Sequence, residues 1–121
     1  MASLKDGLAR LGEIDGFIGT CVVDSNSGMM LGSHGGSTGF DLEVAAAGNT
    51  EVVRAKRKTM ASLALDDQIE DMLITLGRQY HLIRPLALKD GLFLYLVMDR
   101  SRANLALSRH VLSEVEKTLS I

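Results

Sequence analysis

Apolar residues at the start of the chain first have the spacing of a helix and then that of strands. Three leucines recur at steps of four and three before Gly12 interrupts the pattern: Leu4, Leu8 and Leu11. The segment Phe17–Asp24 (FIGTCVVD) has the apolar and β-branched content of a strand. Residues 24–28 (DSNSG) are typical of a turn, and residues 29–32 continue as a second, short strand. The pattern therefore predicts a short amphipathic helix followed by a β-hairpin.

A long helix is predicted after the hairpin, and a shorter helix is predicted near the end of the chain. Asp41 or Thr38 can cap the long helix, which is expected to run to about Ser62. Ser101 is expected to cap the final helix. The apolar residues of the final helix form a single stripe: Leu107, Val111, Leu112, Val115 and Leu119.

Three strands are predicted between these two helices. They cover residues 68–76 (QIEDMLITL), residues 79–88 (QYHLIRPLAL) and Leu92–Asp99 (LFLYLVMD). Residues 77–78 (GR) and 89–91 (KDG) separate them, and the second pair of strands is joined by a strong hairpin signal. Because the last strand is almost entirely apolar, we expect it at the centre of the sheet with both faces covered. The order of elements predicts an α/β (α+β) fold, in which helices lie on the faces of an antiparallel sheet.

The long helix carries two neighbouring stripes of residues at helical spacing. The first stripe is mainly apolar and is expected to lie on the sheet: Leu42, Ala46, Asn49, Val53, Lys56, Met60 and Leu63. The second, which we call the small-residue stripe, lies beside it: Ala45, Gly48, Val52, Ala55, Thr59 and Ser62. Small side chains let another backbone approach closely. The small-residue stripe therefore either tucks under a loop or helix of the same chain or forms a helix-to-helix dimer seam.

Composition and charge exclude several classes of function. The 121 residues, 46% hydrophobic and 23% charged, suit one globular domain over residues 1–121. A net charge of −2 argues against general binding to nucleic acid or anionic membranes, because counterion release needs concentrated basic charge. The longest apolar run, residues 92–98, is too short to span a bilayer, and the N-terminal segment lacks the apolar run of a signal peptide. We therefore expect a cytoplasmic protein that does not insert into membranes.

Four glycines stand in residues 32–43 (GSHGGSTGFDLE), directly ahead of the long helix. Glycine-rich loops at helix N-termini can bind phosphate through converging backbone amides. Here Ser37 stands five residues after Gly32 and no lysine follows it, so the phosphate-loop pattern GxxxxGK[ST] fails. The glycine spacing also differs from the G-x-G-x-x-G pattern of dinucleotide-binding folds. We interpret the segment as a flexible connector and expect no nucleotide cofactor.

Candidate catalytic and metal-binding residues are few. His34, His81 and His110 share no ligand spacing with one another or with Cys21. Cys21 stands in an apolar strand, so we expect a buried hydrophobic side chain rather than a nucleophile. The densest acidic cluster is interpreted as the solvated entrance to a strand: Asp66, Asp67, Glu70 and Asp71. We expect no catalytic residue, no cofactor and no metal, and therefore no enzyme.

The segment IDGFIGTCVVDSNSGMML, residues 14–31, and the order of elements over almost the whole chain resemble the roadblock family, which includes dynein light chains and bacterial-type partners of small GTPases. The resemblance implies a profilin-like fold in the order α-β-β-α-β-β-β-α. A five-stranded antiparallel sheet is expected, with the long helix on one face and the two terminal helices on the other. It also implies a homodimer, or a heterodimer with a paralogous roadblock subunit, in which the long helices pack together and the third strands join edge to edge.

The third predicted strand suits that role, because an open edge with apolar and β-branched residues invites pairing. In the implied dimer, Ile69 and Leu73 of this strand join the small-residue stripe at the interface. The resemblance implies a scaffold without chemistry of its own, whose partners are small GTPases or motor subunits.

Basic residues crowd the C-terminal half of the long helix, where cations complement the helix dipole. A solvated face is the simple interpretation, and the resemblance makes the helix a partner platform. The expected partner-binding residues are Glu51, Arg54, Arg57 and Lys58. Three functions stay open. They are a regulator that binds a small Ras-like GTPase and modulates its GTP hydrolysis or localisation, a nucleotide-independent scaffold or motor-complex subunit, and a small-ligand sensor.

Overall fold

The structure is a computed structural model that describes residues 2–36, 39–87, 89 and 91–120. In chain order its elements are β1 (Ala2–Ser3), α1 (Leu4–Leu11), β2 (Phe17–Asp24), β3 (Met29–Gly35), α2 (Leu42–Ser62), β4 (Met72–Thr75), β5 (Gln79–Pro85), β6 (Leu92–Asp99), α3 (Leu105–Thr118) and β7 (Leu119–Ser120). Apart from the two-residue strands β1 and β7, this is the predicted order α-β-β-α-β-β-β-α. The predicted fold is confirmed.

Five strands form one antiparallel sheet in the order β3-β2-β6-β5-β4. The apolar strand β6 lies at its centre, as predicted, with residues 93–98 fully or almost fully buried. The register places Tyr95 of β6 between Cys21 of β2 and Ile83 of β5. β3 and β4 form the two edges of the sheet.

The two faces of the sheet carry separate hydrophobic cores, because successive side chains of a strand point to opposite faces. On one face, α1 and α3 pack against inward-facing strand residues, and the helical residues of this core include Leu8, Leu11, Leu112 and Val115. On the other face, α2 packs against a second set, which includes Cys21, Val23, Ile83, Phe93 and Tyr95. The division of one long helix against two terminal helices confirms the expectation from the sequence.

α2 begins and ends where the sequence predicts. Asp41 is the N-cap, and its carboxylate accepts hydrogen bonds from the backbone amides of Glu43 at 2.9 Å and Val44 at 3.2 Å. The alternative cap, Thr38, lies outside the described residues. The helix ends at Ser62, and the chain then turns through Ala64, whose φ of 56° is in the left-handed region.

Only the N-terminal half of α2 lies on the sheet. Its buried residues are Leu42, Ala46, Thr50 and Val53. The prediction that the whole first stripe lies on the sheet is wrong, because Lys56 and Leu63 are exposed and Asn49 and Met60 are half-buried. The physical reason is that α2 packs mainly on β2 and β3, so the side chains after Val53 have little sheet beneath them.

The predicted limits of three strands need correction. β3 continues past residue 32 to Gly35, so the second hairpin strand includes part of the glycine-rich segment. β4 covers Met72–Thr75 rather than residues 68–76. Of the predicted strand at 79–88, β5 extends to Pro85, which has no amide hydrogen with which to continue the ladder. Leu88 and Asp90, which belong to the predicted strand end and hairpin turn, lie outside the described residues.

α3 begins after Asn104, so the prediction that Ser101 caps it is wrong. The Asn104 side chain accepts a hydrogen bond from the Leu107 amide at 3.1 Å. The Ser101 hydroxyl instead donates to Asp99 at 2.9 Å within the preceding turn. The predicted stripe is shifted accordingly: Ser108, Leu112 and Val115 are buried, whereas Leu107 is 54% exposed.

The two ends of the described chain pair with each other. β1 and β7 run parallel, with Ala2 opposite Leu119 and Ser3 opposite Ser120. Ser3 also caps α1, since its hydroxyl accepts a hydrogen bond from the Asp6 amide at 3.1 Å. Among the described residues, no helix has the combination of length and apolar character that a bilayer crossing requires.

Candidate functional site

The small-residue stripe of α2 faces solvent. Gly48, Val52, Ala55, Thr59 and Ser62 are exposed, and Ala45 is half-buried. A Cβ atom built at Gly48 meets no other atom within 4 Å. No element in the described part of the chain covers this stripe, so the alternative that it tucks under a loop or helix of the same chain is not what the structure shows.

An open groove of about 420 Å³ lies between α2 and the sheet, on the side of the small-residue stripe. We call it the α2 groove. The helix contributes Ala45, Gly48, Asn49 and Val52, and the segment before it contributes Phe40. The floor consists of His81 from β5 and Tyr95 from β6. The walls are mainly apolar and the floor is polar, so the groove suits a surface of mixed character.

Hydrogen bonds join the polar groups on the floor of the α2 groove. His81 Nδ1 lies 2.9 Å from the Tyr95 hydroxyl, and His81 Nε2 lies 2.8 Å from Gln79 Oε1. The imidazole also meets the Phe40 and Tyr95 rings edge to face, with centroids 5.8 and 5.6 Å apart. These contacts fix the orientation of the histidine ring between β5, β6 and the segment that leads into α2.

Burial shifts the pKa values of three side chains under α2. Burial lowers the pKa of His81 from its ordinary value of 6.5. It raises the pKa of Tyr95 from 10.0 to about 12; a hydrogen bond with Asn49 opposes this effect and the nearby Cys21 adds to it. Burial also raises the pKa of the Cys21 thiol from 9.0 to about 12. All three groups are therefore uncharged at neutral pH.

The two β4 residues expected at the seam lie in different positions. Leu73 is half-buried against the core formed with α1 and α3, on the face opposite α2. Its neighbours Met72 and Ile74 pack on the α2 side. Ile69 is half-buried and precedes β4. The alternation along β4 could have identified Met72 and Ile74 as the residues on the α2 side, since residues two apart share a face of the sheet.

The four expected partner-binding residues are exposed on α2, but one of them also stabilises the fold. Arg54 donates hydrogen bonds to the backbone carbonyls of Ser25 at 2.9 Å and Asn26 at 2.6 Å, which hold the turn between β2 and β3. It also forms a 3.2 Å ion pair with Glu51. Arg57 and Lys58 lie one turn further along, and Arg57 lines a second cleft of about 740 Å³.

The interpretation of the acidic cluster as a solvated strand entrance is wrong for one member. Asp66, Asp67 and Glu70 are exposed, whereas Asp71 lies 3.1 Å from Arg109 and 3.9 Å from Arg84. Arg84 also pairs with Glu116 at 2.5 Å. This ion cluster joins the start of β4 to β5 and α3. Sequence reasoning missed it, because its members are far apart in the chain.

The glycine-rich segment has a structural role in the residues that are described. Gly35 and Gly36 adopt φ angles of 71° and 78°, and a Cβ at Gly35 would lie 2.5 Å from the Phe17 ring. The Gly36 amide donates to the Ile18 carbonyl at 2.8 Å, and the first free amides of α2 bond to Asp41. These amides are therefore engaged within the chain. Ser37 lies outside the described residues.

The remaining candidates for chemistry lie apart from one another. Cys21 is fully buried, which confirms the expectation of a buried hydrophobic side chain. Among the described residues, no group of three or more histidine, cysteine, aspartate or glutamate side chains is arranged to hold a metal ion. The small-residue stripe, the α2 groove and the basic end of α2 therefore remain as the candidate functional site.

Known structures share this fold, although the sequence matches no protein-family model and is not significantly similar to any curated protein. A Roadblock/LC7 domain from Streptomyces avermitilis has a TM-score of 0.82 at 11% identity, over 97% of this chain and 94% of that chain. MglB from Myxococcus xanthus has a TM-score of 0.80 at 15% identity, over 92% and 80%. The gliding protein MglB from Thermus thermophilus has a TM-score of 0.70 at 15% identity, over 93% and 87%. The chain therefore has the roadblock fold.

Proposed function

We propose that this chain is a non-catalytic, dimeric adaptor that binds a small Ras-like GTPase and modulates its GTP hydrolysis or localisation. The observation that carries the proposal is the exposed small-residue stripe beside the α2 groove, on a chain with the roadblock fold. Such a face suits a second protein chain, because small residues allow close helix packing. Removing the mainly apolar walls of the groove from water also favours association.

A second copy of this chain is the occupant that we propose for the α2 groove. The N-terminal half of α2 carries two carboxylates, Glu43 and Glu51, and the C-terminal half carries four cations, Arg54, Lys56, Arg57 and Lys58. Two such helices attract each other when they pack antiparallel, because the acidic half of each then faces the basic half of the other. Self-association also has a precedent in this fold, since one similar structure, with a TM-score of 0.77, is MglB in a tetrameric arrangement.

The edge strand β4 supports the same arrangement. It lies at the end of the sheet on the side that α2 does not cover, and its outer edge has no neighbouring strand within the described residues. Pairing of two β4 edges would satisfy their free backbone groups and extend the sheet across both copies. Ile69 and Leu73 belong to this proposed contact, together with Met72 and Ile74 on the α2 side.

The GTPase part of the proposal rests on the exposed charged residues of α2. After self-association, Glu51, Arg54, Arg57 and Lys58 would lie beside the seam and form a polar platform for a further partner. The mechanism that we propose is positional. The dimer orders or localises the GTPase, whose own groups perform the hydrolysis.

The test is capture of the purified chain by small Ras-like GTPases loaded with GDP or with a non-hydrolysable GTP analogue. We expect binding that depends on the nucleotide and that weakens at least about tenfold in the charge-reversed variant Arg57→Glu/Lys58→Glu, at a concentration at which light scattering shows that the variant is still dimeric. Lys117→Glu is the matched control, because the Lys117 side chain is exposed on α3, away from the α2 groove. Arg54 is left unchanged, since it holds the turn between β2 and β3. Binding that ignores the nucleotide would instead favour the scaffold function, and binding that survives the reversal would exclude this platform.

A further inference from the structure

We propose that His81 makes self-association through the α2 groove sensitive to pH, with the neutral imidazole favouring the associated state and the protonated imidazole opposing it. The inference rests on the proposed function, because it concerns the same groove. It goes further by naming a regulatory side chain and the signal that would act on it.

The directions of the two hydrogen bonds to His81 indicate its protonation state. Gln79 Oε1 is an acceptor, so His81 Nε2 carries the proton that is donated across 2.8 Å. The other ring nitrogen, Nδ1, then has a free lone pair and accepts from the Tyr95 hydroxyl at 2.9 Å. The burial of Tyr95 keeps its hydroxyl protonated and able to donate. The observed contacts therefore match a neutral histidine with the proton on Nε2.

Protonation of His81 would change both its hydrogen bonds and the charge on the floor of the α2 groove. A proton on Nδ1 would donate to the Tyr95 oxygen, so the hydroxyl proton would have to turn away from Nδ1 and the hydrogen bond between Tyr95 and Asn49 would have to rearrange. The positive charge would also lie on the floor of a groove whose walls are mainly apolar, against Phe40 and Val52. Both effects oppose the protonated form once the groove is covered.

The groups that face His81 offer little to stabilise a positive charge. From α2 the groove presents Asn49 and the stripe, from β6 it presents Tyr95, and the register places Ile74 of β4 beside His81. Cys21 of β2 lies beside Tyr95 as a neutral thiol. Asp41 is the one carboxylate among the described residues that line the groove, and it already accepts two backbone hydrogen bonds at the start of α2.

The direction of the effect follows from linkage. Burial already lowers the pKa of His81 in the single chain, and a second copy over the groove would bury the ring further and lower the pKa again. The dimer then binds fewer protons than two separate chains. Association is therefore unaffected well above the pKa of the single chain and weakens as the pH falls through it. Below the still lower pKa of His81 in the dimer, the histidine is protonated in both states, and the dissociation constant changes no further.

The experiment is the dissociation constant of the dimer, measured by light scattering over a dilution series at several pH values from about 8 down to about 5. We expect the constant to rise as the pH falls through the pKa of His81, by up to about a hundredfold for each unit by which association lowers that pKa, since each dimer would contain two such histidines. His81→Gln should remove this dependence, whereas His110→Gln, on the exposed surface of α3, should retain it. Tyr95→Phe removes the hydroxyl donor, so it should move the transition to higher pH.

The outcomes separate this inference from the proposed function. A dimer whose dissociation constant does not change over the pH range in which the His81 imidazole titrates by NMR, or whose pH dependence survives in His81→Gln, overturns the role of His81 and leaves the seam intact. A chain that is monomeric at every pH value overturns both proposals. If His81→Gln does not fold, the imidazole signal of the unmodified chain in NMR gives the answer. It should titrate at lower pH in concentrated than in dilute samples, and an unchanged midpoint in a sample that does dimerise overturns the inference.

Discussion

The two faces of the sheet differ in how completely this chain covers them. On one face, α1 and α3 pack together over a core that includes Leu112 and Val115. The ion cluster around Arg84 joins α3 to β5. On the other face, α2 packs on β2 and β3, and an open groove lies above His81 and Tyr95. The first face is complete within one chain, whereas the second leaves a stripe of small side chains exposed.

This difference separates the residues that stabilise the fold from those available to a partner. Substitutions on the α1/α3 face should lower the stability of the single chain. Substitutions on the exposed part of α2 should leave that stability almost unchanged and act on association.

The largest effect is expected in the core beneath α3. Leu112 is fully buried, so Leu112→Ala should lower the free energy of unfolding by about 2–5 kcal/mol. Val44 on α2 is 69% exposed, and Val44→Ala should change that free energy by less than about 0.5 kcal/mol in dilute samples. Urea denaturation at several protein concentrations measures both. Equal losses in dilute samples would contradict the separation, and a Val44→Ala loss that grows with concentration belongs to association.

The ion cluster should contribute somewhat less. The side chains of Arg84, Glu116 and Asp71 are each at most 15% exposed. Arg84→Met leaves two mostly buried carboxylates with fewer partners and should cost about 1–3 kcal/mol of stability, again by urea denaturation. Lys117→Met is the control, because its ion pair with Glu114 is largely exposed and should contribute less than about 0.5 kcal/mol. Similar losses in both variants would show that the cluster does not hold α3 to β5.

Gly48 tests the open face directly. The surrounding space is empty, so Gly48→Leu should fold as well as the unmodified chain and should weaken self-association at least about tenfold. Light scattering over a dilution series measures the change. Gly48→Ala is the matched control, since it keeps the side chain small and adds about 1 kcal/mol of helix propensity. An unchanged oligomer mass for Gly48→Leu at low micromolar concentration would remove the seam.

The smallest effect separates two neighbouring arginines of α2. Arg54→Ala removes hydrogen bonds to the carbonyls of Ser25 and Asn26 and should cost about 0.5–1.5 kcal/mol of stability. Arg57→Ala should change stability by less than about 0.5 kcal/mol, because its side chain is exposed. Thermal unfolding of the two variants side by side distinguishes them. An equal loss would mean that Arg57 also supports the fold.

Local signals in the sequence predicted most of the fold. The limits of α2 follow from the Asp41 cap and the apolar spacing, and the central place of β6 follows from its uninterrupted apolar residues. The errors arise where tertiary contacts override local preference. Ser101 is a good cap by type, but its hydroxyl bonds to Asp99 and Asn104 takes that role. The apolar content of residues 68–76 suggests a long strand, but Asp71 turns to Arg109 and β4 starts one residue later.

The candidate site was predicted only in part. The small-residue stripe is a property of one helix, so spacing alone identified it. The α2 groove is formed by segments that are distant in the chain, and Phe40, His81 and Tyr95 meet only after folding. Spacing of histidines relative to one another therefore gave no reason to select His81. Arg54 is a second example. Its charge predicted contact with a partner protein, whereas the structure shows that its side chain bonds to the turn between β2 and β3.

The parallel pairing of β1 with β7 makes the topology of this domain nearly closed, with Ser3 opposite Ser120. Neighbouring strands lie about 5 Å apart, so a linker of a few glycines could join these positions and new termini could be opened between the exposed residues Asp66 and Asp67, which lie between α2 and β4. Such a circular permutant would keep every packed element. It would also let a tether or reporter be attached near α1 and α3, on the side of the sheet that the proposed partner does not use.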